Sequence, residues 1–328
     1  MRADDLPDVV VNSKVASFVD DTKLYRRVDS TQDVILPQND LDNLEAWSIS
    51  SGLVFNQKKC KQQLITRKFN PVEFQYKIND KPLEVTNHEK DLGVYVSSDL
   101  TWKKHTLEQC AKANKLLGLI RRCAMDVQSS STRRTLYLAI VLPALGYAIQ
   151  VWSPQTIDLI RRIERVQRRA SKFILDLPFI CEESYRDRLL SIDILPICYW
   201  HEFLDLVFFF KPTNGIVCVS HDVLPEQIVP IRVTRASASN ATSFRPKKCR
   251  TSTYQHSFSV RTSRIWNALP LQLRYDLVTL NQFKSLLSSY YKDALISRFD
   301  GEDPRTWKSV CVKCNTPRNL SEPISCCY

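Results

Sequence analysis

The spacing of apolar residues changes period several times along the chain. Residues 14–26 read as a strand, a tight turn and a returning strand: Val15-Ala16-Ser17-Phe18-Val19, then Asp20-Asp21, then Thr22-Lys23-Leu24-Tyr25. Both arms are rich in β-branched and aromatic residues, and the polar pair stands where a hairpin would turn. Over residues 30–50 the period becomes helical, with Val34, Leu41, Leu44, Trp47 and Ile49 as the stripe, and Gly52 stops it. Short strands are expected at 53–56, 62–66, 74–78, 83–85 and 92–96.

From Lys103 the period is helical again. Leu107, Cys110, Ala111, Asn114, Leu117 and Ile120 mark one helix. A second, with cap candidates at Ser129 to Thr132, carries Leu136, Ile140, Leu145 and Tyr147 and is expected to kink at Pro143. A third is expected to start after Ser153-Pro154, with serine as cap and proline in the first turn. Its stripe is Ile157, Ile160, Ile163, Val166, Ala170, Phe173 and Ile174; its outer face is Arg161, Arg162, Arg165, Arg168, Arg169 and Lys172. Beyond Pro178 the pattern predicts a helical apolar segment at 182–210, a loop-rich stretch at 217–243 and an amphipathic helix at 280–299.

Composition narrows the chemistry. The chain has 328 residues and only 6 glycines, at 52, 93, 118, 146, 215 and 301, so no Gly-rich phosphate loop can be written anywhere in it. Dinucleotide and P-loop sites are thereby excluded, and phosphate chemistry would have to use carboxylates with metal, or basic side chains. The hydrophobic share of 44% suffices for packed cores. The start is acidic, with no apolar signal segment, and the most apolar run, 203–210, contains Asp205 and is far short of the ~20 residues that span a bilayer. Eleven cysteines, an odd number, fit reduced thiols. A nuclear or cytoplasmic, not secreted, protein with no membrane contact is expected.

The net charge of +11 is uneven. Residues 1–100 hold 13 Lys/Arg against 16 Asp/Glu, 101–180 hold 14 against 5, and 181–328 hold 19 against 14. The surplus thus sits in the middle of the chain. A second patch, residues 231–275, has nine basic residues and no acidic one: Arg232, Arg235, Arg245, Lys247, Lys248, Arg250, Arg261, Arg264 and Arg274, with Phe244, Tyr254, Phe258 and Trp266 between them. Cations interleaved with aromatics can hold a phosphate backbone and stack on bases, and a solvated face is the plainer reading of the same run.

Asp20-Asp21 is a candidate site for a divalent cation, since magnesium takes hard oxygen ligands, commonly one or two carboxylates plus substrate phosphates. The same pair could equally be a solvated turn. Near the end, Cys311 and Cys314 have knuckle spacing, with Cys326-Cys327 following. A strong zinc ribbon would offer a second C-x-x-C, and adjacent cysteines fit a tetrahedral site poorly, so zinc is not expected.

The string Phe18-Val19-Asp20-Asp21-Thr22-Lys23-Leu24-Tyr25 resembles motif C of the non-LTR retrotransposon (LINE, jockey and CR1-like) reverse transcriptases. The resemblance continues in the family's order. Asp5-Leu6-Pro7 precedes it; Leu41-Asp42-Asn43-Leu44-Glu45-Ala46-Trp47-Ser48 resembles the motif D helix, and Leu53-Val54-Phe55-Asn56-Gln57-Lys58-Lys59-Cys60 the stretch after it. Lys90-Asp91-Leu92-Gly93-Val94 with Asp99-Leu100-Thr101-Trp102 is similar to the primer-grip region and the start of the thumb. Ile163-Glu164-Arg165-Val166-Gln167-Arg168-Arg169-Ala170 and Phe258-Ser259-Val260-Arg261-Thr262-Ser263-Arg264-Ile265-Trp266 complete the series.

The resemblance implies an α+β protein. A partial polymerase palm (a β-hairpin and short strands with a helix) at 1–100 is followed by a helical thumb at 101–178, a mixed, mainly helical C-terminal domain at 179–300 and a cysteine-containing tail at 301–328. Asp20 would be the main Mg²⁺ ligand with Asp21 beside it. Lys59, with Lys58 as a competitor, would neutralise or protonate the departing pyrophosphate. Leu92 and Gly93 would shape the primer grip. Arg161, Arg162, Arg165, Arg168, Arg169 and Lys172 would track the backbone of an RNA template and DNA primer, or an RNA–DNA duplex, and Arg245, Lys247, Lys248 and Arg250 would form a second contact. The family also needs a motif A aspartate and fingers; Asp4, Asp5 and Asp8 stand too near the hairpin to supply that strand. A truncated reverse transcriptase, inactive as an isolated chain, is therefore expected. The alternatives are a non-catalytic nucleic-acid-binding protein derived from one, and a decayed reading frame with no stable product.

Overall fold

The computed structural model describes residues 8–220, 224–228, 242–245, 247–274 and 279–302. Two compact units divide the chain, Met1–Thr101 and Trp102–Tyr328.

The first unit is built from four separate two-stranded sheets and one long helix. Strands β1 (Lys14–Phe18) and β2 (Asp21–Tyr25) pair antiparallel, with Phe18 opposite Asp21, so the turn is Val19-Asp20 and not Asp20-Asp21. The hairpin is followed by α1 (Ile35–Ser51), which ends on Gly52 at φ +72°, a left-handed position that costs glycine nothing. Its buried positions are Pro37, Asp40, Leu44 and Trp47. Ile49, expected on that stripe, is 77% exposed, because a step of five residues from Leu44 turns it about 140° off the buried line. Leu44 and Trp47 form the core of the unit with Val9, Val10, Val15, Leu41 and Phe55 packed around them.

The remaining strands are shorter than the alternation suggested. Residues 53–56 form no strand; β3 (Lys61–Gln62) runs parallel to β6 (Glu84–Val85), and β4 (Lys77–Ile78) pairs with β5 (Lys81–Pro82). A fuller hairpin joins β7 (His88–Asp91) to β8 (Val94–Ser97), with Leu92 and Gly93 as its two-residue turn rather than the head of a strand. Both carry positive φ, +45° and +87°, as the commonest two-residue hairpin turn requires.

The second unit is helical. Its first helix, α2 (Lys103–Cys123), buries Thr106, Cys110, Ala113, Leu117 and Ile120 and leaves Leu107 and Ala111 exposed, one helical column away from the expected stripe. Ser129 caps α3 (Ser130–Leu136) by accepting the Thr132 N–H. A π-helical turn at Tyr137–Val141 then leads into α4 (Leu142–Gly146). Pro143 has no N–H to give the α-ladder, and the wider turn just before it absorbs that loss. The buried side chains here are Tyr137, Val141, Leu142, Ala144 and Leu145, whereas Ile140 and Tyr147 face out. After α5 (Ile149–Trp152) comes α6 (Ile157–Ile174), whose N-cap position is Thr156 rather than Ser153.

The segment expected as one helix at 182–210 is two, α7 (Tyr185–Ser191) and α8 (Ile197–Thr213), because Pro196 begins the second. Helix α8 is the centre of the unit. It packs on α5 and α6 and also on α10 (Phe258–Ala268) and α11 (Leu280–Ser297), while the four-residue α9 (Ser252–Gln255) leads into α10. Phe210 stacks on Phe283 at 4.5 Å between centroids, and Phe209, Phe244 and Trp266 fill the space beside them. Helix α6 packs on both α7 and α8, across the boundary expected at residue 178. Thr279 and Gln282 form a capping box at the start of α11.

Candidate nucleic-acid and metal-binding site

Asp20 lies in the hairpin turn and Asp21 opens β2, and both carboxylates are exposed. Val19 precedes them at φ +56°. A β-branched side chain in the left-handed region costs of order 1–3 kcal/mol, a strain that the surrounding pairing has to hold. Alternation along the strands puts Val15, Ser17, Thr22 and Leu24 on one face, where Val15 meets the Trp47 core. Phe18, Asp21 and Lys23 share the other face. From there Lys23 forms an ion pair with Asp91, the residue before the Leu92-Gly93 turn. One contact therefore ties the carboxylate hairpin to the β7–β8 hairpin.

The hairpin is held from below by a residue the alternation did not single out. Asp40 of α1 is fully buried, and its carboxylate accepts the Val11 and Asn12 backbone N–H groups at 3.0 and 3.1 Å and the Asn12 side-chain amide at 3.1 Å. Burial pushes its pKa up, but the hydrogen bonds this carboxylate accepts outweigh the effect and leave it lowered. The signal in the sequence was an aspartate at helical spacing from Pro37, Leu44 and Trp47, on the apolar stripe itself.

As magnesium ligands, Asp20 and Asp21 are of the right type, and one or two carboxylates are what that ion commonly takes from protein. Among the described residues no group of three or more His, Cys, Asp or Glu side chains could hold a metal. Asp20 and Asp21 are therefore two candidate ligands and not by themselves a metal centre. Lys58 and Lys59 lie on an exposed turn, where the Lys59 N–H donates to the Asn56 carbonyl at 2.9 Å. Cys311 and Cys314 lie outside the described residues.

In the second unit the six cations of α6 separate into two groups. Arg162 is spent on Asp158 at 2.8 Å. Arg168 donates to the Gly301 carbonyl and lies over the Tyr185 ring at 4.4 Å, and Lys172 donates to the Phe179 carbonyl. Arg161, Arg165 and Arg169 are exposed, and no carboxylate stands within ion-pairing distance of them among the described residues. These three recur every four residues, on one line of the helix, about 6 Å apart along its axis.

Beneath that face lies a buried polar layer. Glu164 accepts from the Tyr185 hydroxyl and from the Ile197 N–H at 3.1 Å, while its second oxygen has no hydrogen-bond partner. Burial pushes its pKa up despite those donors. Gln167, alongside, accepts the Tyr137 hydroxyl at 2.9 Å.

The fold withdraws one cation and two aromatic residues from the patch at 231–275. Arg261 is buried, with a bidentate ion pair to Asp205 of α8 at 2.9 and 3.1 Å and further hydrogen bonds to the Ile149, Gln150 and His256 carbonyls. Phe244 and Trp266 are core residues, each 2% exposed, so neither is offered to a base. Phe258 packs edge-on against Phe208. Arg261 stands three residues after Phe258 and four before Ile265, on the apolar stripe of α10, and that spacing was the sign that it turns inward. Arg245, Lys248, Arg250 and Tyr254 remain exposed and Lys247 is half-buried. Arg232 and Arg235 lie outside the described residues.

Over about half its length the chain is related to RNA-directed DNA polymerases of mobile elements. It is 27% identical over 161 residues to the probable RNA-directed DNA polymerase from transposon BS of Drosophila melanogaster, a stretch that covers 47% of this chain and 17% of that protein. It is 26% identical over 176 residues to the RNA-directed DNA polymerase from mobile element jockey of Drosophila funebris, covering 50% and 18%. The aligned stretch is less than a fifth of either relative. No protein-family model and no solved structure matches the chain.

Proposed function

We propose that this chain is part of a non-LTR retrotransposon reverse transcriptase, with a palm-like first unit that bears motif C and a helical second unit that holds nucleic acid through α6. The observation that carries the reading is the tie between the two hairpins. Beyond the relation to two mobile-element polymerases, Lys23 of the motif C string pairs with Asp91 at the head of the Leu92-Gly93 turn, so the two motifs that the family brings together around a primer end are joined here by a side-chain contact.

In this reading Asp20 and Asp21 would hold Mg²⁺ together with a further carboxylate or substrate phosphates, and the ion would supply charge stabilisation to the oxygens of nucleotidyl transfer. The chain's own residues supply the rest. The strained Val19 turn presents the carboxylates, Asp40 and the Trp47 core fix the base of the hairpin, and Leu92 and Gly93 shape the surface beside it. Lys59 offers a proton or a positive charge to departing pyrophosphate. On α6, Arg161, Arg165 and Arg169 contact successive phosphates of an RNA template and DNA primer, an attraction that salt screens. The alternative of a non-catalytic nucleic-acid-binding protein is favoured by one observation: among the described residues no third carboxylate, histidine or cysteine joins Asp20 and Asp21 in a group that could hold a metal. The isolated chain is accordingly expected to bind template–primer but not to extend it. Mg²⁺-dependent primer extension by the purified chain, abolished by Asp20→Ala, would refute the inactivity; an absence of salt-sensitive binding to RNA–DNA duplex would refute the reading of α6.

A further inference from the structure

Arg245, Lys247, Lys248 and Tyr254 of the second basic patch meet Glu226 around a cleft of about 360 Å³. Its walls are fastened to the core. The strand segment before Arg245 is clamped from both sides by one asparagine: Asn267 accepts the Phe244 N–H at 3.0 Å and donates to the Phe244 carbonyl at 2.7 Å. The Trp266 indole donates to the Thr242 carbonyl at 3.0 Å. The Lys247 carbonyl accepts the Cys249 thiol at 3.3 Å and lies 3.5 Å from the Arg264 guanidinium. Tyr254 is set by the Thr251 cap, which accepts its N–H at 3.3 Å, and by Ser257, whose hydroxyl donates to its carbonyl at 2.7 Å.

Three cations face one carboxylate around the opening. Glu226 pairs with Arg245 at 3.1 Å, which leaves Lys247 and Lys248 as the uncompensated charges of the cleft among the described residues. Tyr254 is 42% exposed, unlike Phe244 and Trp266 of the same segment. The core needs little from a ring in that position. An exposed aromatic ring on an anchored backbone beside two lysines suits a base with its phosphates, and a duplex keeps its base faces stacked inside, so only an unpaired nucleotide can use the ring.

From this geometry we infer that the cleft binds single-stranded RNA or DNA, with a base on Tyr254 and the flanking phosphates at Lys247 and Lys248. The inference deepens the nucleic-acid reading of the second unit but uses a surface separate from the α6 arginines. It is tested on the full chain by fluorescence anisotropy with a labelled oligouridylate of about a dozen residues, within the usual site size per binding face, and with a duplex of equal length. Tyr254→Ala is expected to weaken single-strand binding roughly 5- to 150-fold, the equivalent of one lost base stack. Tyr254→Phe should retain it, and duplex binding should not change. The double variant Lys247→Ala, Lys248→Ala should weaken single-strand binding and flatten its salt dependence. Unchanged single-strand affinity in Tyr254→Ala would overturn the inference. Displacement of the oligomer by uridine monophosphate as readily as by unlabelled strand would overturn it too, since the cleft would then be a mononucleotide pocket. Loss of duplex binding alone in an Arg161, Arg165, Arg169 triple variant would leave the cleft standing, and failure of that variant to affect duplex binding would count against the α6 reading only.

Discussion

Helix α6 makes a sharper prediction than its six-fold positive charge suggests, because the fold has already used half of it. Arg162, Arg168 and Lys172 are engaged with Asp158, with the Gly301 carbonyl and Tyr185, and with the Phe179 carbonyl. If Arg161, Arg165 and Arg169 each neutralise one phosphate of a duplex, they contribute about −2.7 to the slope of log K against log salt, at about −0.9 per phosphate. Raising salt from about 50 to about 200 mM would then cost roughly 40-fold in affinity through these residues alone. The assay is a salt titration of binding to an RNA–DNA duplex by wild type, by the Arg161→Ala, Arg165→Ala, Arg169→Ala variant and by the Arg162→Ala variant. The triple variant should lose about three units of slope, and Arg162→Ala much less than one because its charge is already paired. Equal slopes in wild type and triple variant, or an Arg162 effect as large as that of its neighbours, would refute the division of the helix into spent and available cations.

Two further outcomes test the fold beneath the site. Arg261→Met should destabilise the second unit by about 3–5 kcal/mol, since it takes the bidentate guanidinium away from a buried carboxylate; chemical denaturation reads this, and a combined Asp205→Leu, Arg261→Met variant should recover much of the loss. Glu164 has its pKa raised by burial, so the native state binds that proton more tightly than the unfolded chain does. Its penalty is absent below the unfolded carboxylate value, near 4.3, and sets in as pH rises towards the folded value. Denaturation midpoints of wild type should therefore decline over that interval, and Glu164→Gln should flatten the decline; an equal slope in the variant would exclude the assignment.

The local pattern was enough to place the carboxylate hairpin, the helix that ends on Gly52, the helix carrying the arginines and the amphipathic helix near the end, because each is written in a period of two or near 3.6 with its own stop signal. It did not reach the shifts of one and three residues that matter at the site. The turn falls on Val19-Asp20 because cross-strand register, not polarity, decides which pair turns, and α6 starts at Ile157 because Thr156 and not Ser153 occupies its cap position.

What sequence alone determined is the inventory: no glycine loop for phosphate, two adjacent acids in a hairpin, a basic helix, and a likeness over about half the chain to mobile-element polymerases. Which charges are available was decided only by tertiary structure. A linear count gives Arg261 and Arg165 the same weight. In the fold Arg261 is desolvated against Asp205 and three backbone carbonyls, whereas Arg165 faces water. Asp40 and Glu164 likewise became structural acids by burial, while Asp20 and Asp21 kept their carboxylates in solvent. The physical reason is common to all of these residues. A charged side chain is free to meet a ligand only when packing has left it hydrated and unpaired, and packing joins residues far apart in the chain.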